Sequence, residues 1–281
     1  MFVLCADDFA INEAVSRAIL DLIDAGRLTA VSVMVSTSLW PEMAGELAAR
    51  RGRVAIGLHL DLTRFLTGGV SSSRYLRRLV VAALRGRLDV GALSAEFERQ
   101  FDRFEAALGF APDHVDGHHH VHALPQIRGA LFGVLAKRFA DPPRELRPLA
   151  RDPADSVFRI LRRGGARAKA LAVASLCAGF GARAAALGIA TNVGFAGFSR
   201  FADAPRHDRE FDRVLRAPGP RHLVMCHPGL DSAASRADPI AAARNDEYRR
   251  LMASEAAPPA MLIIRRAPNE RRSAYAEWLS S

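Results

Sequence analysis

Five of the chain's nine histidines fall within nine residues, in the run His114-Val-Asp-Gly-His-His-His-Val-His122. An extended backbone sends alternate side chains to opposite faces. As a strand, the run would put His114, Asp116, His118, His120 and His122 on one side and Val115, Gly117, His119 and Val121 on the other. Packing gives no reason to repeat imidazole and carboxylate at period two, whereas a metal or proton-transfer site does. Three more groups are of the same chemical kind: Asp7-Asp8, His59, and His227 before Pro228-Gly229. Each alone has a plainer explanation. Asp-Asp after a strand can cap a helix, His59 can be a satisfied core histidine, and His227 can shape a turn. Together they offer nitrogen and oxygen ligands with room for water, which suits a divalent ion and metal-assisted hydrolysis, with carboxylate and imidazole moving the protons.

Those groups need elements that bring them together. Short apolar or β-branched runs predict strands at 3–6, 30–35, 54–60, the histidine run, 145–149, 189–193 and 222–226, with a possible eighth at 260–264. Helical patterns fall between them, including 75–84, 94–108 and an alanine-rich stretch at 153–187 interrupted by Gly164-Gly165. Residues 64–73 are polar and predict a loop over the strand ends. Strand and helix alternate without repeat or long linker, which predicts parallel βα units in a single domain spanning 1–281. The polar groups follow the first, third, fourth and seventh strands, and a barrel gathers such ends at one mouth better than an open sheet does. The expected fold is therefore α/β, a closed or nearly closed barrel of seven or eight parallel strands.

The totals narrow the class. A chain of 281 residues that is 49% hydrophobic and 25% charged has an ordinary globular composition. Its net charge of +9 could suit an anionic partner, but only Lys137 and Lys169 are lysines, the arginines are dispersed, and no nucleic-acid groove is expected. Cys5, Cys177 and Cys226 form no Cys-x-x-Cys pair, so neither disulfides nor a thiolate zinc site is indicated. The opening Met1-Phe2-Val3-Leu4 reads as strand rather than as a leader, and a cytoplasmic location is expected. The most apolar stretch, 170–182, is far short of the roughly 20 residues of a spanning helix, which leaves a buried or interfacial helix and peripheral membrane contact open.

Ala6-Asp7-Asp8-Phe9, Ile56-Gly57-Leu58-His59, Val115-Asp116-Gly117-His118-His119-His120-Val121-His122 and His227-Pro228-Gly229 occur in an order and spacing that resembles the YdjC-like carbohydrate deacetylases. These include chitooligosaccharide deacetylases of the ChbG type and hopanoid-biosynthesis-associated proteins of the HpnK type. The resemblance runs from Val3 to about Glu255. It implies a distorted TIM-like (β/α) barrel, one divalent metal ion, magnesium or zinc, and hydrolysis of the N-acetyl group of an acetamido sugar. Carried over motif by motif, it makes Asp8, His59 and His118 metal ligands, Asp7 the general base and His227 the acid that protonates the departing amine. Arg147 resembles the family's strand-end arginine. His120, His122 and Phe198 are further candidates for the substrate side. Family members usually place glycine after Asp-Asp-Phe, where this chain has Ala10. A glycosylated hopanoid-type lipid is the alternative substrate, and a non-catalytic metal- or anion-binding barrel is the alternative of another class.

Overall fold

The computed structural model describes residues 1–63, 73–141, 143, 146–201, 213–214, 219–235, 237–253, 261–262, 275 and 278–279. The described strands are β1 (Phe2–Phe9), β2 (Ala30–Val33), β3 (Ala55–Leu60), β4 (His114–Gly117), β5 (Leu149–Ala150), β6 (Gly194–Ala196) and β7 (His222–Cys226). They form one seven-stranded sheet in the order β5-β4-β3-β2-β1-β7-β6, every pairing parallel. The sheet curls until its edges β5 and β6 approach. Across that seam Ala150 N donates to Ala190 O at 2.9 Å. The Asn192 amide finishes the join: it accepts from Asp152 N and donates to Asp152 O and Gly194 O, at 2.8, 2.8 and 3.0 Å. The result is the expected distorted barrel, with one seam held by a side chain instead of a continuous ladder.

The described helices are α1 (Glu13–Asp24), α2 (Trp40–Ala48), α3 (Ser73–Leu84), α4 (Val90–Leu108), α5 (Ile127–Arg138), α6 (Val157–Arg163), α7 (Arg167–Leu176), α8 (Phe180–Ala186) and α9 (Ala241–Ala253). In α1, Asn12 caps the first turn by accepting from Val15 N at 2.9 Å, and Ala14, Val15, Ala18, Ile19, Leu22 and Ile23 make its buried stripe. Strand alternation then divides the core. Leu4, Ala6, Val31, Val33, Ile56 and Leu58 pack in the larger, helix-covered cluster. Val3, Cys5, Ala30, Ala55, Leu149, Phe195, Leu223 and Met225 fill the barrel interior.

Four expectations change. The sixth strand begins at Gly194, because residues 189–193 are used up at the seam. The fifth is Leu149–Ala150, later and shorter than 145–149. The fourth stops at Gly117: His119 and His120 have φ of 56° and 59°, and the chain turns into a 3-10 segment, His118–Ala123. The single imidazole face therefore ends at His118. The stretch 153–187 is three helices, broken where Gly164, Gly165 and Gly179 take φ of 79°, 71° and 77°. Of the predicted eighth strand the described residues show a parallel bridge, Met261 with Phe2; 260 and 263–264 lie outside the described residues, as does most of the predicted loop at 64–73.

Candidate metal and catalytic site

The site starts from an irregularity in β1. Its register against β2 shifts between Ala6 and Phe9, and Asp8 sits in the left-handed region with φ of 69°. Regular alternation would send Asp7 and Asp8 to opposite faces; the kink brings both carboxylates to the barrel mouth. Aspartate tolerates this backbone better than most residues. Ala10 does not share that tolerance, yet it takes φ of 70°, with its N–H donating to Ser16 Oγ at 3.0 Å. The position normally held by glycine thus keeps a glycine-like backbone here.

Asp8 Oδ1 lies 2.9 Å from His118 Nδ1 and 3.3 Å from His59 Nε2. Asp8, His59 and His118 each offer a ligand atom, and these atoms lie within 4.8 Å of one another. β1, the end of β3 and the end of β4 have thus delivered the three predicted ligands to one point. The other carboxylate oxygen, Asp8 Oδ2, accepts from Arg244 Nη2 of α9 at 2.6 Å.

Beneath this triad lies a charged layer. Asp116 Oδ1 accepts from His59 Nδ1 at 2.5 Å, and its Oδ2 takes Arg151 Nη1 at 2.8 Å and the Ser32 hydroxyl at 2.7 Å. Arg151 also holds both oxygens of Asp7, at 2.7 and 2.8 Å. Three buried carboxylates, Asp7, Asp8 and Asp116, face two buried guanidiniums, Arg151 and Arg244, so a cation completes the charge balance. Burial opposes charge on His59, but Asp116, Asp7 and the hydrogen bonds to Asp116 and Asp8 outweigh it and raise the imidazole to about 10. Burial works against ionisation of Asp8 too, yet Arg244 and His118 keep its carboxyl well below the usual range; Arg151 and His59 do the same for Asp116. Two imidazoles and a carboxylate form a donor set of mixed nitrogen and oxygen that could hold a divalent ion.

His227 ends β7 at the same mouth. Its backbone N–H donates to a Glu247 carboxylate oxygen, Phe201 meets its ring edge-on at 5.4 Å, and its Nδ1 is buried with no protein hydrogen-bond partner among the described residues. Burial pushes its pKa down, opposed by Asp8, Glu247 and Asp7. His120 stands between Phe195 and Phe198, at ring distances of 5.6 and 5.3 Å, so His120 and Phe198 form one wall.

Two predicted site residues lie elsewhere. His122 is fully buried, with Nε2 2.7 Å from Arg151 O and its ring against Phe180, so it steadies the arginine strand and cannot meet a substrate arriving from solvent. Arg147 donates to Ala140 O at 2.8 Å, outside the barrel. The later start of β5 explains the misplacement: the arginine at its end is Arg151. Sequence reasoning put Asp116 on the same face as His118 without giving it a role, and it missed Arg151 and Arg244 as parts of the site. Nothing local marks Arg244, which reaches Asp8 from 236 residues away.

The chain is thus a parallel (β/α) barrel with a buried Asp/His cluster at its mouth that could hold a metal. The family model described as "YdjC-like protein" matches residues 1–258, and the chain belongs to the YdjC-like family. It is 35% identical over 133 residues to chitooligosaccharide deacetylases of Yersinia pestis (strain Pestoides F) and Yersinia pseudotuberculosis serotype O:1b (strain IP 31758). Those matches cover 45% of this chain and 52% of each relative, so the chain spans about half the length of the curated relatives it matches. In fold it is similar to a solved Enterococcus faecalis V583 protein named for cellobiose-phosphate cleavage, with a TM-score of 0.63, 18% identity, and coverage of 90% of this chain and 91% of that one.

Proposed function

We propose that the chain is a metal-dependent deacetylase that hydrolyses the N-acetyl group of an acetamido sugar. The observation that carries this reading is the convergence of Asp8, His59 and His118 on one point, with Asp7 and His227 beside them. A divalent ion bound there would polarise the acetyl carbonyl and lower the pKa of water. The chain's own groups do the rest. Arg151 fixes the Asp7 carboxylate, whose remaining lone pairs accept a proton from the attacking water. His227, whose pKa burial lowers against the opposing pull of Asp8, Glu247 and Asp7, would pass a proton to the departing nitrogen. His120 and Phe198 offer an apolar wall on which a sugar ring can rest. We place the protein in the cytoplasm.

Acetate release from N-acetylglucosamine oligomers, with and without chelator, tests the reading; turnover that survives complete metal removal rejects it. Asp7→Asn should abolish turnover and spare metal binding, whereas Asp8→Asn should weaken the metal itself.

A second substrate, a sugar-bearing hopanoid-type lipid, draws support from α6. Val157, Phe158 and Leu161 are exposed there, Phe158 by 70%, beside Arg159 and Arg162. The earlier candidate, 170–182, is divided between α7 and α8, and no helix among the described residues is long and apolar enough to cross a membrane. Flotation with anionic liposomes distinguishes the two substrates, and failure to float counts against the lipid.

A further inference from the structure

Below the Asp8–His59–His118 triad, a line of hydrogen bonds leads to the barrel floor. Asp116 Oδ2 lies 2.7 Å from Ser32 Oγ, Ser32 Oγ lies 2.9 Å from His114 Nε2, and His114 Nδ1 lies 2.9 Å from the Tyr275 hydroxyl. All four residues are completely buried. Tyr275 lies outside residues 1–258, the stretch that matches the family.

The direction of each link follows from counting protons. Asp116 is ionised between Arg151 and His59, so it only accepts, and Ser32 must spend its single proton on Asp116. His114 Nε2 therefore has to carry hydrogen and donate to Ser32. Burial holds His114 neutral by pushing its pKa down, so its Nδ1 is a bare acceptor that takes the Tyr275 proton. The Cys5 thiol, 3.3 Å from Ser32 Oγ and 3.8 Å from His114 Nε2, stays protonated because burial raises its pKa, and it donates to the Asp7 carboxylate at 3.7 Å. At the top of the line, Asp116 Oδ1 binds hydrogen on His59 Nδ1, which leaves Nε2 to face Asp8. With the thiol hydrogen on Asp7, reversing any link would set two donors or two acceptors against each other.

We propose that Tyr275 is a positioning residue of the metal centre: through His114, Ser32 and Asp116 it sets the tautomer of His59 that presents Nε2 to the ion. The proposal rests on the Asp8–His59–His118 reading. Without the tyrosine hydroxyl, His114 can shift its hydrogen to Nδ1, and Ser32 is then free to donate to the histidine and release Asp116. Tyr275→Phe keeps the ring that packs 5.7 Å from both His114 and Trp278.

Zinc and cobalt affinities of the full chain would be measured by calorimetry for wild type, Tyr275→Phe, Ser32→Ala and the double variant. Long-range proton–nitrogen spectra of the histidines would be recorded on the metal-free proteins. We expect each single variant to lose about tenfold in affinity, the loss typical of a hydrogen-bond partner behind a ligand. The double variant should lose no more than Ser32→Ala, because both act along one line. The His114 hydrogen should sit on Nε2 in wild type and leave it in Tyr275→Phe. Wild-type affinity in Tyr275→Phe, losses that add, or a His114 hydrogen on Nδ1 in wild type would overturn the proposal. A thiolate-to-cobalt band would also overturn it, since the ion would then sit at Cys5, His114 and Asp116, one of two further groups among the described residues with metal-ligand spacing. A wild-type chain that binds no ion removes the proposed function and this role together, whereas the metal-free spectra judge the hydrogen-bond line alone.

Discussion

Gly57→Ala puts a methyl group where the barrel interior has no room. A Cβ built on Gly57 would lie 2.2 Å from His114 Nε2 and 2.3 Å from its Cδ2 and Cε1. Carbon contacts settle near 3.5–4.0 Å, so the imidazole would have to retreat by more than about 1 Å. It has nowhere to go: His114 is wholly buried and held at 2.9 Å by Ser32 on one side and Tyr275 on the other. Overpacking a close-packed core costs about 1–3 kcal/mol, and the loss of two buried hydrogen bonds adds about 1 kcal/mol each. The lower backbone entropy of alanine returns roughly 0.5–1 kcal/mol. The expected net loss is about 2–4 kcal/mol, read from urea unfolding with an unchanged m-value. Adding His114→Ala should make the pair less destabilised than the sum of the single variants, because the methyl then occupies part of the space the ring leaves. A Gly57→Ala protein within about 0.5 kcal/mol of wild type, or strictly additive losses, would refute the packing argument.

Acid should destabilise the fold through His122 and His222, both pushed down to about 4 chiefly by burial. Between the ordinary 6.5 and 4 the unfolded chain binds protons that the folded chain refuses, so stability rises with pH across that window and falls on acidification, by about 3 kcal/mol per histidine. Unfolding free energy followed from pH 7 to 4 checks the slope, and His122→Gln, whose amide can still donate to Arg151 O, should flatten it. Asn192→Ala should open the seam between β5 and β6, cost about 2–4 kcal/mol for three lost hydrogen bonds, and raise amide exchange at Asp152. Arg151→Lys cannot hold both Asp7 and Asp116 in the same geometry, and a loss of about 3–5 kcal/mol in unfolding free energy is expected.

What the sequence revealed and concealed follows from the range of each signal. Asp7, Asp8, His59, His118 and His227 stand next to strand ends, so alternation of strand and helix sufficed to bring them to one mouth. β1, β3 and β7 were legible because each is a run of apolar residues that ends in its functional group. β5 and β6 were not, since strands of two and three residues carry almost no periodicity, and the error moved the arginine from Arg151 to Arg147. The histidine run misled beyond Gly117 because left-handed backbone at His119 and His120 is set by tertiary packing and not by their side-chain pattern. Arg244 and Tyr275 act across 236 and 161 residues, distances at which local pattern says nothing.

The most direct test of the account is the metal content and affinity of the purified chain and of variants at the three converging residues. Wild type should bind one divalent ion per chain, with zinc-like ions held more tightly than magnesium. His59→Ala and His118→Ala should each release it without unfolding the barrel. A full ion complement in the doubly substituted chain, or its absence from well-folded wild type supplied with metal, would contradict the assignment of Asp8, His59 and His118 as a metal centre.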